Sequence, residues 1–141
     1  MNYEAIVEEI LVKVKVNAEK TISEVLNEFI KGEVGVLAYL VFEKNNVTPG
    51  ELSEQINVTS ARIASILNSL ENKKYIQRNV NDTDKRKILV TVTEEGKANV
   101  EEAKNKLINK ISSVFEQLGE EDTKEYIRLV SKINDILSKE R

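Results

Sequence analysis

The chain has 141 residues, a formal net charge of −3, 40% hydrophobic and 32% charged residues, and neither cysteine nor histidine. That length suits one domain, alone or with an oligomerisation region, and the composition suits a soluble, helix-rich protein. A disulfide or thiol switch is excluded, and the commonest metal ligand and usual pH switch are missing, so no metal or cofactor is expected. No apolar run approaches the roughly 20 residues that span a bilayer, and residues 1–20 lack a signal-peptide pattern; a cytoplasmic protein without membrane contact is expected.

From residue 3 to 30 apolar residues recur every three or four positions: Val7, Leu11, Val14, Ala18, Ile22, Val25 and Phe29, with Ile6 and Ile10 alongside. The spacing predicts one long helix whose seam seeks a partner helix. Gly32 ends it. A second helix over 33–44 offers Val36, Leu37, Leu40 and Val41 as a floor for the next two helices. Asn45, Asn46 and Val47 then turn the chain, with room for a very short strand.

The stretch 48–96 organises the rest. Thr48 caps a helix, Pro49 suits its first position, and Glu51 completes a capping box. Leu52 and Ile56 form its apolar stripe, Asn57 and Val58 interrupt it, and Thr59 caps the next helix. There Ile63, Ile66, Leu67 and Leu70 share one face, and Ala61, Ser65, Asn68 and Asn72 the other, flanked by Ser60, Arg62 and Ser69. A helix with small, uncharged residues on its outer face can approach base edges closely. An ordinary surface helix would look similar, so the continuation matters.

Residues 75–78 and 88–92 read as two strands. Between them runs a polar, turn-prone segment ending in Lys85, Arg86 and Lys87. Helix, turn, helix and basic hairpin in this order spell a winged helix-turn-helix, which lays one helix in a DNA groove. A cationic tip follows phosphates or enters a minor groove. Charge agrees once it is divided. Residues 59–92 hold seven cations and three anions, a net +4, whereas the remainder holds 14 cations and 21 anions, a net −7.

Beyond the hairpin, Thr93 caps a helix with Glu94 and Glu95 in its first turn, and Val100, Ala103, Leu107, Ile111, Val114 and Leu118 follow at helical spacing. Gly119 stops it. Glu120, Glu121 and Asp122 open a last helix with the stripe Tyr126, Val130, Ile133 and Leu137; acids in a first turn explain this run better than a metal site does.

The stretch resembles the multiple-antibiotic-resistance (MarR-type) winged-helix regulators over nearly the whole chain. The likeness rests on TPGELSEQINVT, on ARIASILNSLENKKYIQR, on Asp84-Lys85-Arg86 at the family's Asp-x-Arg wing signature, and on LVTVTEEGK after it. Lys74 stands where the family has glycine; a left-handed cap there costs roughly 1–2 kcal/mol, and a different helix exit is the alternative. Ala64-Ser65 stand where many relatives carry threonine-arginine. The resemblance implies a mainly α fold with a small β-wing: a dimerisation helix over 1–31, the winged helix-turn-helix over 32–96 and C-terminal dimerisation helices over 97–141. It also implies a homodimer on a pseudo-palindromic double-stranded operator, acting as a repressor. Relatives release DNA on binding small phenolic or aromatic carboxylate compounds between the dimerisation helices and the DNA-binding lobe. Phe29, Phe42, Phe115, Tyr3, Tyr39, Tyr75 and Tyr126 are the aromatic residues available for such a crevice.

The candidate DNA-binding residues are therefore Thr59, Ser60, Ala61, Arg62, Ser65 and Asn68 on the helix, with Arg78, Asp84, Lys85, Arg86 and Lys87 on the wing. Arg62, Ser60, Ser65 and Asn68 would read bases or phosphates, and Arg86 the minor groove, with Asp84 holding the wing or Arg86. Lys85, Lys87 and Arg78 would attract phosphates. Two alternatives remain: a winged helix kept as a protein-interaction module, and a constitutive DNA binder without an effector. An enzyme has no support, with no histidine, cysteine or glycine-rich phosphate loop.

Overall fold

The computed structural model describes residues 1–16 and 21–140, without the side chains of 14–16. Helix α1 covers Tyr3–Val16 and α2 covers Ile22–Lys31. The predicted helix over 3–30 is therefore not one element. Thr21 starts α2 with a capping box: its hydroxyl accepts from the Glu24 N–H at 3.2 Å, and the Glu24 carboxylate accepts from the Thr21 N–H at 3.3 Å. Two helix-start donors are satisfied there, which favours a fresh start over continuation. Ala18 and the Val14 side chain, both in the predicted stripe, lie outside the described residues.

After Gly32, α3 (Glu33–Ala38) runs straight into a π-helical turn, Tyr39–Glu43, where the Lys44 N–H donates to the Tyr39 carbonyl at 3.0 Å. Val36, Leu37 and Leu40 are buried as predicted, while Val41 is half-buried. Val47 makes a single antiparallel bridge to Val90, which realises the short strand.

Helices α4 (Pro49–Ile56) and α5 (Ser60–Asn72) come next, then strands β1 (Ile76–Val80) and β2 (Ile88–Val92). The strands are antiparallel with Ile76 opposite Val92 and Val80 opposite Ile88, so β1 starts one residue later and runs two residues further than predicted. Thr48 caps α4 by accepting from the Glu51 N–H at 3.2 Å. The reciprocal half of the predicted box does not form; the Glu51 carboxylate meets Lys44 at 3.4 Å instead, because the tight 45–47 turn brings that ammonium within reach.

Lys74 resolves the exit of α5. Its φ of 64° is left-handed. The Tyr75 N–H returns to the Leu70 carbonyl at 2.9 Å and the Lys74 N–H to Glu71 at 3.0 Å, the paired bonds of a Schellman cap. The closed cap and the strand after it offset the left-handed cost.

Helix α6 spans Glu94–Leu118 and α7 spans Glu120–Lys139. Thr93 caps α6, and its hydroxyl donates to the Lys74 carbonyl at 2.7 Å, joining the α5 exit to the wing's return. The core gathers Val36, Leu37 and Leu40 with Leu52, Ile63, Leu67, Leu70, Ile76, Val90 and Val100. Helix α3 lies at its centre, packed against α2, α5 and α6.

The outer helices are different. Residues 3–13 of α1 are all exposed, and neither α2 nor α7 contains a buried residue. Ile6, Val7, Ile10 and Leu11 on α1, and Ile127, Ile133, Ile136 and Leu137 on α7, leave apolar surface uncovered. No described helix is long and apolar enough to cross a membrane.

Candidate nucleic-acid interface

The turn between α4 and α5 is set by Asn57, left-handed at φ 59° and ψ 52°. Asparagine tolerates this conformation better than most residues. Ser53 locks the turn by donating its hydroxyl to the Val58 carbonyl at 2.6 Å. Thr59 then accepts from the Arg62 N–H at 3.1 Å, so its hydroxyl caps α5.

From that start the helix sorts its residues as its periodicity requires. Ile63, Ile66, Leu67 and Leu70 are buried. Ser60, Ala61, Arg62, Ser65 and Asn68 are exposed. Only Arg62 is charged among those five, so the helix can come close to a duplex without desolvating many ions.

The wing is also locally determined. Thr83 donates its backbone N–H and its hydroxyl to Asn81 Oδ1 at 2.9 and 2.8 Å, closing an Asx turn. Asp84 Oδ1 accepts from the Arg86 backbone N–H at 3.1 Å and from Arg86 Nε at 3.2 Å. Those two bonds, backbone first, hold the Asp84 carboxyl below its usual range. The Arg86 side chain remains 91% exposed, and among the described residues its guanidinium is tethered through Nε alone. Lys85 and Lys87 are exposed beside it.

Arg78 is placed differently from a free phosphate-seeking cation. Nε and Nη2 meet the two oxygens of Glu71 at 3.1 and 3.0 Å, and Nη2 also donates to Asn68 Oδ1 at 2.9 Å. The side chain is only 28% exposed. Arg78 holds the Glu71 carboxyl low, and Glu71 raises Arg78 in turn. At the other side of α5, Lys73 Nζ reaches Glu33 at 2.8 Å. Bonds from Lys73 and from Ser69 keep Glu33 below its usual range despite some burial. These ties to Glu33, Glu71 and Ser69 were not predicted from sequence.

Three of the seven aromatic residues meet in one crevice. Phe29, Tyr39 and Phe42 line a cavity of about 200 Å³ between α2, the α3–π-turn segment and α4, together with Ile56, Glu43 and Gln55. Lys104 of α6 places its ammonium 4.5 Å from the Phe42 ring centroid. Phe115 and Tyr126 instead pack on each other at 5.9 Å, at the junction of α6 and α7. Tyr3 is exposed, and Tyr75 is half-buried with its hydroxyl 3.4 Å from Asn99 Nδ2. Among the described residues no group of acidic side chains is arranged to hold a metal ion.

A capped helix presenting small polar residues, beside a hairpin tipped with a tethered arginine, defines a winged helix-turn-helix. The chain belongs to the winged helix DNA-binding domain family, whose match covers residues 33–111. It is similar to the HTH-type transcriptional repressor YetL of Bacillus subtilis, at 31% identity over 109 residues; the match covers 77% of this chain and 65% of that protein. Among solved structures it is similar to Streptococcus pneumoniae FabT in complex with DNA, at 20% identity and a TM-score of 0.66, covering 99% and 100% of the two chains. A MarR family protein from Bacillus stearothermophilus shares 19% identity and a TM-score of 0.67, covering 98% and 99%. The mainly α fold with a small β-wing expected from the sequence is thus the observed one, in a DNA-binding family.

Proposed function

We propose that the protein is a dimeric, sequence-specific transcriptional regulator of the cytoplasm, acting as a repressor that occludes a promoter. The observation that carries this reading is the contact from β1 to the outer side of α5, where Arg78 reaches Asn68. It makes the recognition helix and the base of the wing one continuous surface, as a duplex laid across both requires. In this reading Ser60, Arg62, Ser65 and Asn68 face the major groove, Arg86 the minor groove, and Lys85 and Lys87 the phosphates. Two supports are similarity to a repressor and to a protein whose structure contains DNA.

The uncovered apolar residues of α1 and α7 support the dimer. A two-fold partner would bury them and set two recognition helices at half-sites about 34–36 Å apart. A small aromatic effector would occupy the Phe29–Tyr39–Phe42 crevice, between the outer helices and the DNA-binding lobe. Among the described residues the crevice is lined by Glu43 and by no cation, so an anionic group would have to reach Lys104, whose ammonium lies over Phe42. Such a ligand can release DNA only through its differential affinity for two lobe spacings, typically about 1–3 kcal/mol.

One observation favours the interaction-module alternative: Val80 and Ile88, paired across the wing just below its tip, are 57% and 46% exposed. Enrichment of bound duplexes from a random pool decides between the two. A recovered pseudo-palindrome supports the regulator; no retained duplex at low salt supports the module. Titrating the recovered complex with neutral, anionic and cationic aromatic compounds then tests the crevice, and indifference to all of them leaves a constitutive binder.

A further inference from the structure

Arg78 lies on β1, two residues after the buried Ile76, so both side chains leave the strand on the same side, toward α5. The left-handed turn at Lys74 starts β1 alongside the last turns of the helix it has just left. As a result the guanidinium meets Glu71 and Asn68, residues three apart that share a helix face. Nε and one Nη2 hydrogen engage the carboxylate side-on, and the second Nη2 hydrogen is left for the amide oxygen of Asn68, at 2.9 Å. The planar fork fits this three-point arrangement, which a lysine ammonium would not reproduce.

The chemistry of the contact also fixes which way the Asn68 amide points. A guanidinium has donors and no acceptor, so only the oxygen of Asn68 can face it. The amide nitrogen with its two hydrogens must then turn away from Arg78, out from the exposed face of α5. An unrestrained asparagine can offer either edge, and it reads adenine by using both, accepting from N6 and donating to N7. With its oxygen engaged by Arg78, Asn68 is set up chiefly as a donor.

We propose that Arg78 and Glu71 are positioning residues rather than phosphate anchors, and that they hold Asn68 chiefly as a donor to one half-site base. The bases it accepts carry a major-groove acceptor: guanine at O6 or N7, adenine at N7, thymine at O4. Cytosine, which presents only its N4 amino group there, is disfavoured. This inference rests on the regulator reading and adds to it the chemistry of one base position. The depressed Glu71 carboxyl and raised Arg78 agree with a clamp that stays ionised throughout the physiological range.

The test compares wild type with Arg78→Lys, Glu71→Gln and Asn68→Asp, each confirmed folded by its thermal transition. In DNA-free protein, ¹⁵N relaxation of the Asn68 side-chain amide, assigned by its loss in Asn68→Ala, reports the clamp directly. The amide is expected to be nearly as ordered as the backbone in wild type and mobile in Arg78→Lys and Glu71→Gln. A mobile amide in wild type overturns the proposal.

Selection from a random duplex pool reports the reading. Wild type should disfavour cytosine about tenfold at one position per half-site. Arg78→Lys should flatten that position and leave the salt slope unchanged, because its charge is kept. Asn68→Asp, an acceptor in place of a donor, should move the preference to cytosine. A fourth variant, Arg78→Ala, removes the charge: uniform loss across all sequences, with the salt slope reduced by about one, would make Arg78 a phosphate anchor and overturn the proposal. If wild type enriches a motif and all three variants keep its preferences, this inference alone fails. If wild type enriches nothing, the regulator reading fails with it.

Discussion

A β-carbon at Gly35 would lie 1.8 Å from the carbonyl oxygen of Ile30. The end of α2 and the start of α3 are therefore in backbone contact across the Gly32 bend, and the angle between the outer helices and the DNA-binding lobe depends on the absence of a side chain. Gly35→Ala must push the two helices apart. Overpacking of this kind costs about 1–3 kcal/mol, and backbone cannot yield as a flexible side chain would. Gly50→Ala is the control, since its nearest neighbour would be Thr48 Oγ1 at 3.9 Å. Denaturant titration should show a clear loss for Gly35→Ala and almost none for Gly50→Ala.

Lys74 offers the opposite experiment. Its φ of 64° carries the left-handed penalty that glycine does not. Lys74→Gly should stabilise the fold by about 1 kcal/mol, because the Schellman bonds to Leu70 and Glu71 use only backbone atoms. A destabilised variant would show that the Lys74 side chain contributes more than its backbone costs.

Much of this was legible in the sequence because it is local. Thr48, Thr59 and Thr93 announce their helices by cap chemistry, and the buried face of α5 comes from its period. The break at Thr21 was also written locally, as Thr-Ile-Ser-Glu, but a long unbroken apolar stripe masked it. A glycine at 35 inside an apolar helix was a visible signal of close approach as well. Other features were not legible. The Arg78 clamp needs the left-handed turn at Lys74 to bring β1 beside α5, and nothing in the residue types reveals that a cation near a wing is already neutralised. The π-helical turn at Tyr39–Glu43 likewise answers to tertiary packing, as Leu40 is buried while Phe42 reaches the crevice.

Stability should depend on pH in one direction only across the acid range. Glu33, Glu71, Asp84 and Glu125 all have carboxyls held below their ordinary values of 4.5, or 3.8 for Asp84. A depressed folded value means that the unfolded chain binds protons first as pH falls. Their contribution is thus complete above the ordinary values and is lost as pH drops through the lower folded ones. With no histidine in the chain, the thermal midpoint should stay level from pH 8 to about 6 and fall below about 4.5. Glu33→Gln should flatten part of the acid limb. A step between pH 6 and 8 would contradict this assignment.

Arg62 and Arg86 should fail differently when removed. Arg86→Ala takes away a 91% exposed guanidinium tethered to Asp84, and should weaken binding chiefly at A·T-rich flanks, where groove width attracts arginine. Arg62→Ala should cost about 1–3 kcal/mol of DNA affinity and relax one half-site base if its contact is bidentate. An equal loss on every sequence would make Arg62 a phosphate contact. Neither change should move the thermal midpoint appreciably, since both side chains are exposed.

A chain of net charge −3 should bind duplex DNA through one locally cationic surface, made by α5 and the wing. The most direct test is the affinity for the selected duplex as a function of salt, read by fluorescence anisotropy. If the proposed dimer neutralises about six phosphates, log K should fall against log salt with a slope near −5, and more gently once Lys85, Arg86 and Lys87 are replaced together by alanine. A flat response, or a slope unmoved by that triple replacement, would contradict the account.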